Sequence, residues 1–363
     1  MSEFIQKQKA IQEFLANQGC DALLLQKISS FAWATCGAAS YINSAATDGT
    51  ASLLITPQGR YLITTNIEAP RLADEERLAE RGWEFRPYPW HETSGTINEL
   101  SRGLRLAADG FFPGAQDLSG PFSRLRSILL PEEQERFRKL GNLCAEAMNE
   151  AILQVRPGLT ENEIAALLAN AAQKRGVQAI VNLIATDERI YAYRHPLPTG
   201  KKMDRYAMLV LCGRRWGLVC SITRLVHFGS LPDDLKRKQV AVAQIDATFL
   251  TATRPGKSLA GIFTLAVAAY AETGFGEEWR LHHQGGPAGY EPREYVGTPA
   301  STDFVFAGQV YAWNPSITGA KSEDTILIGE TQNDVLTEIA GWPGLTVSVA
   351  GNQVVRPAIL EIK

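Results

Sequence analysis

The tripeptide Arg-Pro-Gly occurs twice in matching surroundings, as Arg156-Pro157-Gly158 and as Arg254-Pro255-Gly256. Each copy follows one helix-forming run and precedes another. Pro131 opens the first run, whose apolar positions Phe137, Leu140, Cys144, Met148, Ala151, Ile152 and Val155 recur at helical spacing. After the break, Thr160 and Glu163 form a capping box for a helix that turns Ile164, Leu167, Leu168 and Ala171 inward. The second copy follows a helix expected over residues 233–253, and Ser258 precedes another over 259–272. Proline cannot continue a helix and glycine readily ends one, so the tripeptide acts as the same breaker in both places. Two rounds of helix, breaker, helix point to an internal duplication, which restricts this part of the chain to two similarly built halves.

Upstream of Pro131 the pattern differs. Residues 2–16 carry Phe4, Ile5, Ala10, Ile11, Phe14 and Leu15 at helical spacing, and Gly19 stops the run. Asp21-Ala22-Leu23-Leu24-Leu25 reads as a short buried strand, and residues 51–56 and 60–65 flank Pro57-Gln58-Gly59 as a hairpin. A charged helix over residues 68–81 completes an α/β domain. A chain of 363 residues has room for two domains of about 100–200 residues each. The change of pattern near Ser127 puts the boundary there, giving domains of residues 1–126 and 127–363 in an α+β protein.

Charge narrows the partners. A formal net charge of -3 with 21% charged residues carries no basic excess for nucleic acid or an anionic membrane surface. Cys20, Cys36, Cys144, Cys212 and Cys220 are odd in number and widely spread, unlike a disulfide framework, so a reducing compartment is expected. The first residues lack the basic-then-apolar order of a signal peptide, and the longest mostly apolar run, residues 259–271, is too short to span a bilayer. The expectation is a cytoplasmic protein.

The chemistry concentrates in His282-His283-Gln284-Gly285-Gly286-Pro287-Ala288-Gly289-Tyr290-Glu291-Pro292, where adjacent histidines run into a glycine-rich turn. Together with Asn314-Pro315 and Glu323-Asp324, this stretch resembles the histidine and glutamate segments of the creatinase, prolidase and methionine aminopeptidase superfamily, the pita-bread hydrolases. The N-terminal order of helix, strand, hairpin and helix is similar to the first domain of creatinase and aminopeptidase P. The resemblance implies a catalytic domain of two pseudo-symmetric halves with the site in the cleft between their strands.

Pita-bread peptidases hold two divalent metals through two aspartates on a hairpin, one histidine and two later glutamates. Thr223-Arg224 resembles the end of the aspartate hairpin, which places the second aspartate at Ser221 and the first at Val210 or, with a small shift, at Cys212. No acidic residue lies between Arg205 and Pro232, so both aspartates are gone. His283 matches the ligand histidine, with His282 its rival by one residue. The substrate-facing histidine seven residues on becomes Tyr290, followed by Glu291. Asn314 replaces one glutamate and Glu323 keeps the other. Two divalent ions need negative charge to offset their repulsion and dehydration, so no metal and no other cofactor is expected. A single soft metal on Cys212, Cys220 and His283 is the less favoured reading, against plain burial of the cysteines.

His195, in Tyr193-Arg194-His195-Pro196-Leu197-Pro198, loosely resembles the family's substrate-pocket histidine region, and the matching histidine of creatinase is a metal-free general acid/base. The resemblance therefore implies a metal-independent hydrolase of a carbon–nitrogen bond in a small amide, amidine or peptide-like substrate. His195 would act as acid/base, with His283, Glu291 and Glu323 positioning substrate or water, and with Tyr290, Asn314, Arg224 and Ser221 lining the substrate. The alternatives are an inactive pseudopeptidase that binds a peptide or small molecule, and a metallo-aminopeptidase with altered ligands. Plainer readings give Asn314 and Ser221 a mutual hydrogen bond, Arg224 an ion pair with Glu323, and Trp216 and Trp313 a packing role near the site. Family members are commonly dimers, so the expected partners are a small-molecule or short-peptide substrate and a second copy of the chain.

Overall fold

Ser2 caps the first helix, Glu3–Gln18, by accepting from the Ile5 N–H, and Gly19 closes it in the left-handed region at φ 67°. In the computed structural model, which describes residues 2–363, that helix belongs to the first of two compact units. This unit runs to Ser127 and takes in Trp216–Leu218, and the second holds Ile128–Arg215 and Val219–Lys363. The strand Ala22–Lys27, with Leu23, Leu24 and Leu25 fully buried, pairs antiparallel with Asp48–Ile55 and parallel with Leu106–Ala108 in a six-stranded sheet. Asp48–Ile55 and Arg60–Thr65 form the expected hairpin. The helix expected over residues 68–81 is shorter: it spans Ala69–Asp74 only. Arg77 turns into the left-handed region at φ 55°, and the Leu78 N–H folds back onto the Leu72 carbonyl at 3.2 Å, which ends the run.

In the second unit the duplication is visible bond by bond. The helices Pro131–Ile152 and Glu161–Gln173 flank the first breaker, and Asp233–Ala252 and Leu259–Glu272 flank the second. Gly158 and Gly256 sit at φ 90° and φ 80°, where a side chain would be strained. Each donates its N–H at 2.8 Å to a returning segment, Gly158 to Met203 and Gly256 to Val305. Each following helix is capped by a hydroxyl, Thr160 accepting from Glu163 and Ser258 from Gly261. Both capping residues also form isolated bridges, Thr160 to Lys202 and Ser258 to Phe304.

Each pair of helices is followed by strands. The first half contributes Gln178–Thr186 and the hairpin of Tyr206–Arg215 with Leu218–Phe228. The second contributes the adjacent strands Gly285–Ala288, Val310–Trp313 and Asp324–Ile328. The glycines after His283 thus open a strand rather than a turn. Gly285 pairs with Trp313 so closely that a side chain would strike the Ala312 carbonyl. The halves meet at a bridge between Thr223 and Glu323. Trp313 is buried and stacks on Phe249 at 4.4 Å. Trp216 does not join it: it sits at the hairpin turn at φ 53° and groups with the first unit. Among the described residues, no helix is long and apolar enough to cross a membrane.

Candidate active site

Alternation along the hairpin strands brings Cys212 and Ser221 together, Sγ to Oγ at 3.3 Å, which makes Cys212 the residue facing Ser221. Two residues on, the Thr223 hydroxyl donates to Glu323 Oε2 at 2.6 Å. Glu323 also receives two cations. Arg293 Nη2 lies 3.0 Å from Oε1 and Lys321 Nζ lies 3.0 Å from Oε2. Arg293 Nη1 reaches on to the Ser221 hydroxyl at 3.3 Å. Burial would push the Glu323 carboxyl up, but the charges of Lys321 and Arg293 and the Thr223 hydroxyl hold it down at about 2. Burial, with the Glu323 charge, raises the Cys212 thiol to about 11.

Beside these charges stand three imidazoles. His195, His282 and His283 bring one nitrogen each within 4.8 Å of one another, and His282 Nε2 lies 3.0 Å from His195 Nε2. The rings of His282 and His283 stack at 4.5 Å. His282 is half-buried, while His195 and His283 reach the surface. All three are pushed toward the neutral form. Burial and the charge of Lys321 lower His195 and take His282 to about 2, and burial with Arg293 takes His283 to about 4. The arrangement joins three uncharged proton acceptors to a pair of fixed cations held by one carboxylate. Among the described residues, these histidines are the group spaced to hold a metal ion, and Cys212, Cys220 and His283 do not form one. Cys220 is fully buried, as is Cys144.

His195 is carried on a segment held by two carboxylates, one buried and one half-buried. Glu161, fully buried, accepts from the N–H and hydroxyl of Thr186 at 2.9 and 3.1 Å and from those of Thr199 at 3.0 and 2.7 Å, and pairs with Arg189. Asp187 accepts the N–H groups of Asp204, Arg205 and Tyr206 at 2.8 to 2.9 Å.

The remaining expected residues lie elsewhere or bond differently. Arg224 does not pair with the Glu323 side chain. Its guanidinium reaches the Glu323 carbonyl at 3.3 Å and its charge partner is Asp324 at 2.8 Å. Neighbouring residues on a strand face opposite ways, so Glu323 looks toward the histidines while Asp324 looks toward a buried network of Arg224, Arg356 and Asp246. Asn314 and Ser221 do not bond to each other, because the Ser221 hydroxyl is engaged by Cys212 and Arg293. Asn314 donates its N–H to Gln284 and keeps Oδ1 buried without a partner among the described residues. Tyr290 is buried with its hydroxyl donating to Glu133 at 2.6 Å, and the Glu291 carbonyl accepts from Gly289.

Arg293 and Lys321 were missed in the sequence, although both had a signal. Lys321 stands two residues from Glu323, on the same strand face, and Arg293 two residues beyond Glu291. A carboxylate buried without its metal requires a cation.

Comparison with known proteins agrees with this architecture. The prolidase of Pyrococcus horikoshii superposes with a TM-score of 0.78 over 92% of this chain and 98% of its own, at 20% identity. A Xaa-Pro dipeptidase of Bacillus anthracis does so with a TM-score of 0.78 over 99% and 100%, at 19% identity. At that identity the likeness establishes the fold. In sequence, an uncharacterized peptidase of Staphylococcus aureus is 24% identical over 257 residues, 68% of this chain and 71% of the relative. The family model for metallopeptidase family M24 matches residues 135–330, more than half of the chain. The chain belongs to metallopeptidase family M24.

Proposed function

We propose that the chain is a metal-independent hydrolase that cleaves a carbon–nitrogen bond in a small amide, amidine or peptide-like substrate. One observation carries the reading: both oxygens of Glu323 are taken by fixed cations, Arg293 on one and Lys321 on the other. A dinuclear centre needs several carboxylates to offset two divalent charges about 3.5–4 Å apart. By the family resemblance Cys212, Ser221 and Asn314 fall on three of the ligand positions, and the one carboxylate left is already bonded to two cations. This donor set does not fit such a centre.

Lys321 and Arg293 supply positive charge where the family's ions would lie. Held by Glu323 and by packing, they are preorganised to stabilise an oxyanion as a tetrahedral intermediate forms. His195 is neutral near pH 7, since burial and Lys321 lower it. It takes a proton from the attacking water and then passes that proton to the departing nitrogen. His283 and Glu291 position substrate or water, and the unpartnered Asn314 Oδ1 is an acceptor for a substrate N–H. The family resemblance supports a homodimer as the working assembly.

The test is elemental analysis after incubation with manganese, cobalt and zinc and removal of loose ions, followed by a screen of small amides and guanidino compounds with His195→Ala as control. Near-zero metal and a turnover that falls at least about 100-fold in the variant are expected. One or two tightly held ions per chain, lost in Glu323→Gln, would overturn the reading and make prolyl peptides the substrates to test.

A further inference from the structure

The three imidazoles make a donor set of their own. His195, His282 and His283 bring one nitrogen each within 4.8 Å of one another, and the Nε2 atoms of His195 and His282 are 3.0 Å apart. Nitrogens bound tetrahedrally to one zinc-sized ion, at about 2.0–2.1 Å each, stand roughly 3.4 Å from one another. The His195–His282 pair is thus close to ligand spacing, and the third nitrogen has to close in by about 1 Å. His195 and His283 reach the surface, so their rings can swing, whereas His282 is the half-buried anchor. One proton joins His195 to His282 in the ion-free chain, and a divalent ion replaces it. Behind His282 the surroundings suit a ligand. Its Nδ1 and the Ser316 hydroxyl are buried without a partner among the described residues, and both residues line one small cavity with room for about one water molecule. A water there gives the ring's second nitrogen the partner that ligating histidines ordinarily have.

The donors select the ion and limit its hold. Imidazole nitrogen suits zinc, nickel and copper, whereas manganese and magnesium prefer carboxylate oxygen. The Glu323 carboxylate is already bonded to Lys321 and Arg293, and Lys321 also lines the cavity beside His282. An ion held by three neutral rings next to fixed positive charge binds weakly, in the micromolar range, and leaves with loosely held ions on washing. We propose that His195, His282 and His283 form an exchangeable site for one ion of the zinc, nickel or copper type, and that filling it switches the hydrolase off. The second half rests on His195 as the acid–base group. A neutral imidazole has one lone pair, and an ion on Nε2 takes the pair with which His195 would accept the proton of the attacking water.

The experiment is calorimetric titration of the full, chelator-washed chain with zinc, nickel and manganese chlorides, beside turnover of a substrate from the amide screen. Zinc and nickel should bind at about one ion per chain with a micromolar Kd, and manganese should not bind. His282→Leu and His283→Gln should each weaken zinc at least about 10-fold, and Lys321→Met should tighten it by a similar factor. Zinc should cut wild-type turnover over the concentration range in which it binds, and EDTA should restore the rate. Zinc that binds the wild type, His282→Leu and His283→Gln alike, or that does not bind below about 1 mM, overturns the site. The surface variant His283→Gln decides this even if His282→Leu fails to fold. A zinc-loaded chain that turns over faster overturns the switch. Zinc held by the three rings with the rate unchanged would instead sink the acid–base reading of His195 and leave the metal site standing.

Discussion

Removing the Glu323 carboxylate strands two cations at once. Lys321 and Arg293 have side chains only 6% and 10% exposed, and each rests on a different oxygen of Glu323. Glu323→Gln should therefore cost about 3–5 kcal/mol in urea unfolding, the usual penalty for leaving a buried charge unpaired. Lys321→Met should cost less, because Glu323 keeps Arg293 and the Thr223 hydroxyl. Equal stability of wild type and Glu323→Gln would show that the cations find water. At this scale the sequence was half legible. His195, His283, Ser221, Asn314 and Glu323 could be picked out by motif, because each stands in a stretch that resembles a family segment. Arg293 and Lys321 match no ligand position, and neither does the His282 contact with His195, which depends on a segment 87 residues away.

The carboxylates that hold the His195 segment make its stability depend on pH. Burial raises Glu161, but Arg189 and the hydroxyls of Thr199 and Thr186 outweigh it and lower the group from its ordinary 4.5. A depressed carboxyl contributes stability that is fully present above its unfolded value and is lost as pH falls through the folded one. Glu161→Gln should thus be destabilised on the order of 2–4 kcal/mol at pH 7. The gap to wild type should close as pH drops below 4.5, and thermal melts across that range would show it. A gap that stays constant would mean that the carboxylate charge does nothing. The two breakers offer a paired test: Gly158→Ala and Gly256→Ala should each cost about 1 kcal/mol and add in the double variant, since they stand at equivalent positive-φ positions of separate turns. Helices and hairpins were legible because caps, breakers and periodicity are local. The overlong helix at residues 68–81 failed because charged residues allow a helix without requiring one, and only Leu72 and Leu78 anchor that stretch in the core.

At the scale of the molecule, a prolidase-like fold persists at about one-fifth identity because core volume and backbone pairing specify it, whereas the ligands are a handful of side chains. The fold should then accept the ligands back. Cys212→Asp, Ser221→Asp and Asn314→Glu, combined with Lys321→Ala and Arg293→Ala, should raise tightly bound manganese or cobalt from near zero to about one or two ions per chain. Elemental analysis beside circular dichroism checks this, and a folded variant that takes up no metal would show that the ligand positions are misassigned. The duplication was legible from a tripeptide because a breaker leaves a local mark. The meeting of the halves at Thr223 and Glu323 was not, because strand partners carry no such mark.

Among the contacts that cross between the halves are Thr223 to Glu323, Ser221 to Arg293 and His195 to His282. One half brings His195 and the hydroxyls, and the other brings the charges and the ring that touches His195. The two halves are thus unlike partners that hold each other in place, and a substitution on one side of the seam keeps its bond only when the residue across it can still answer.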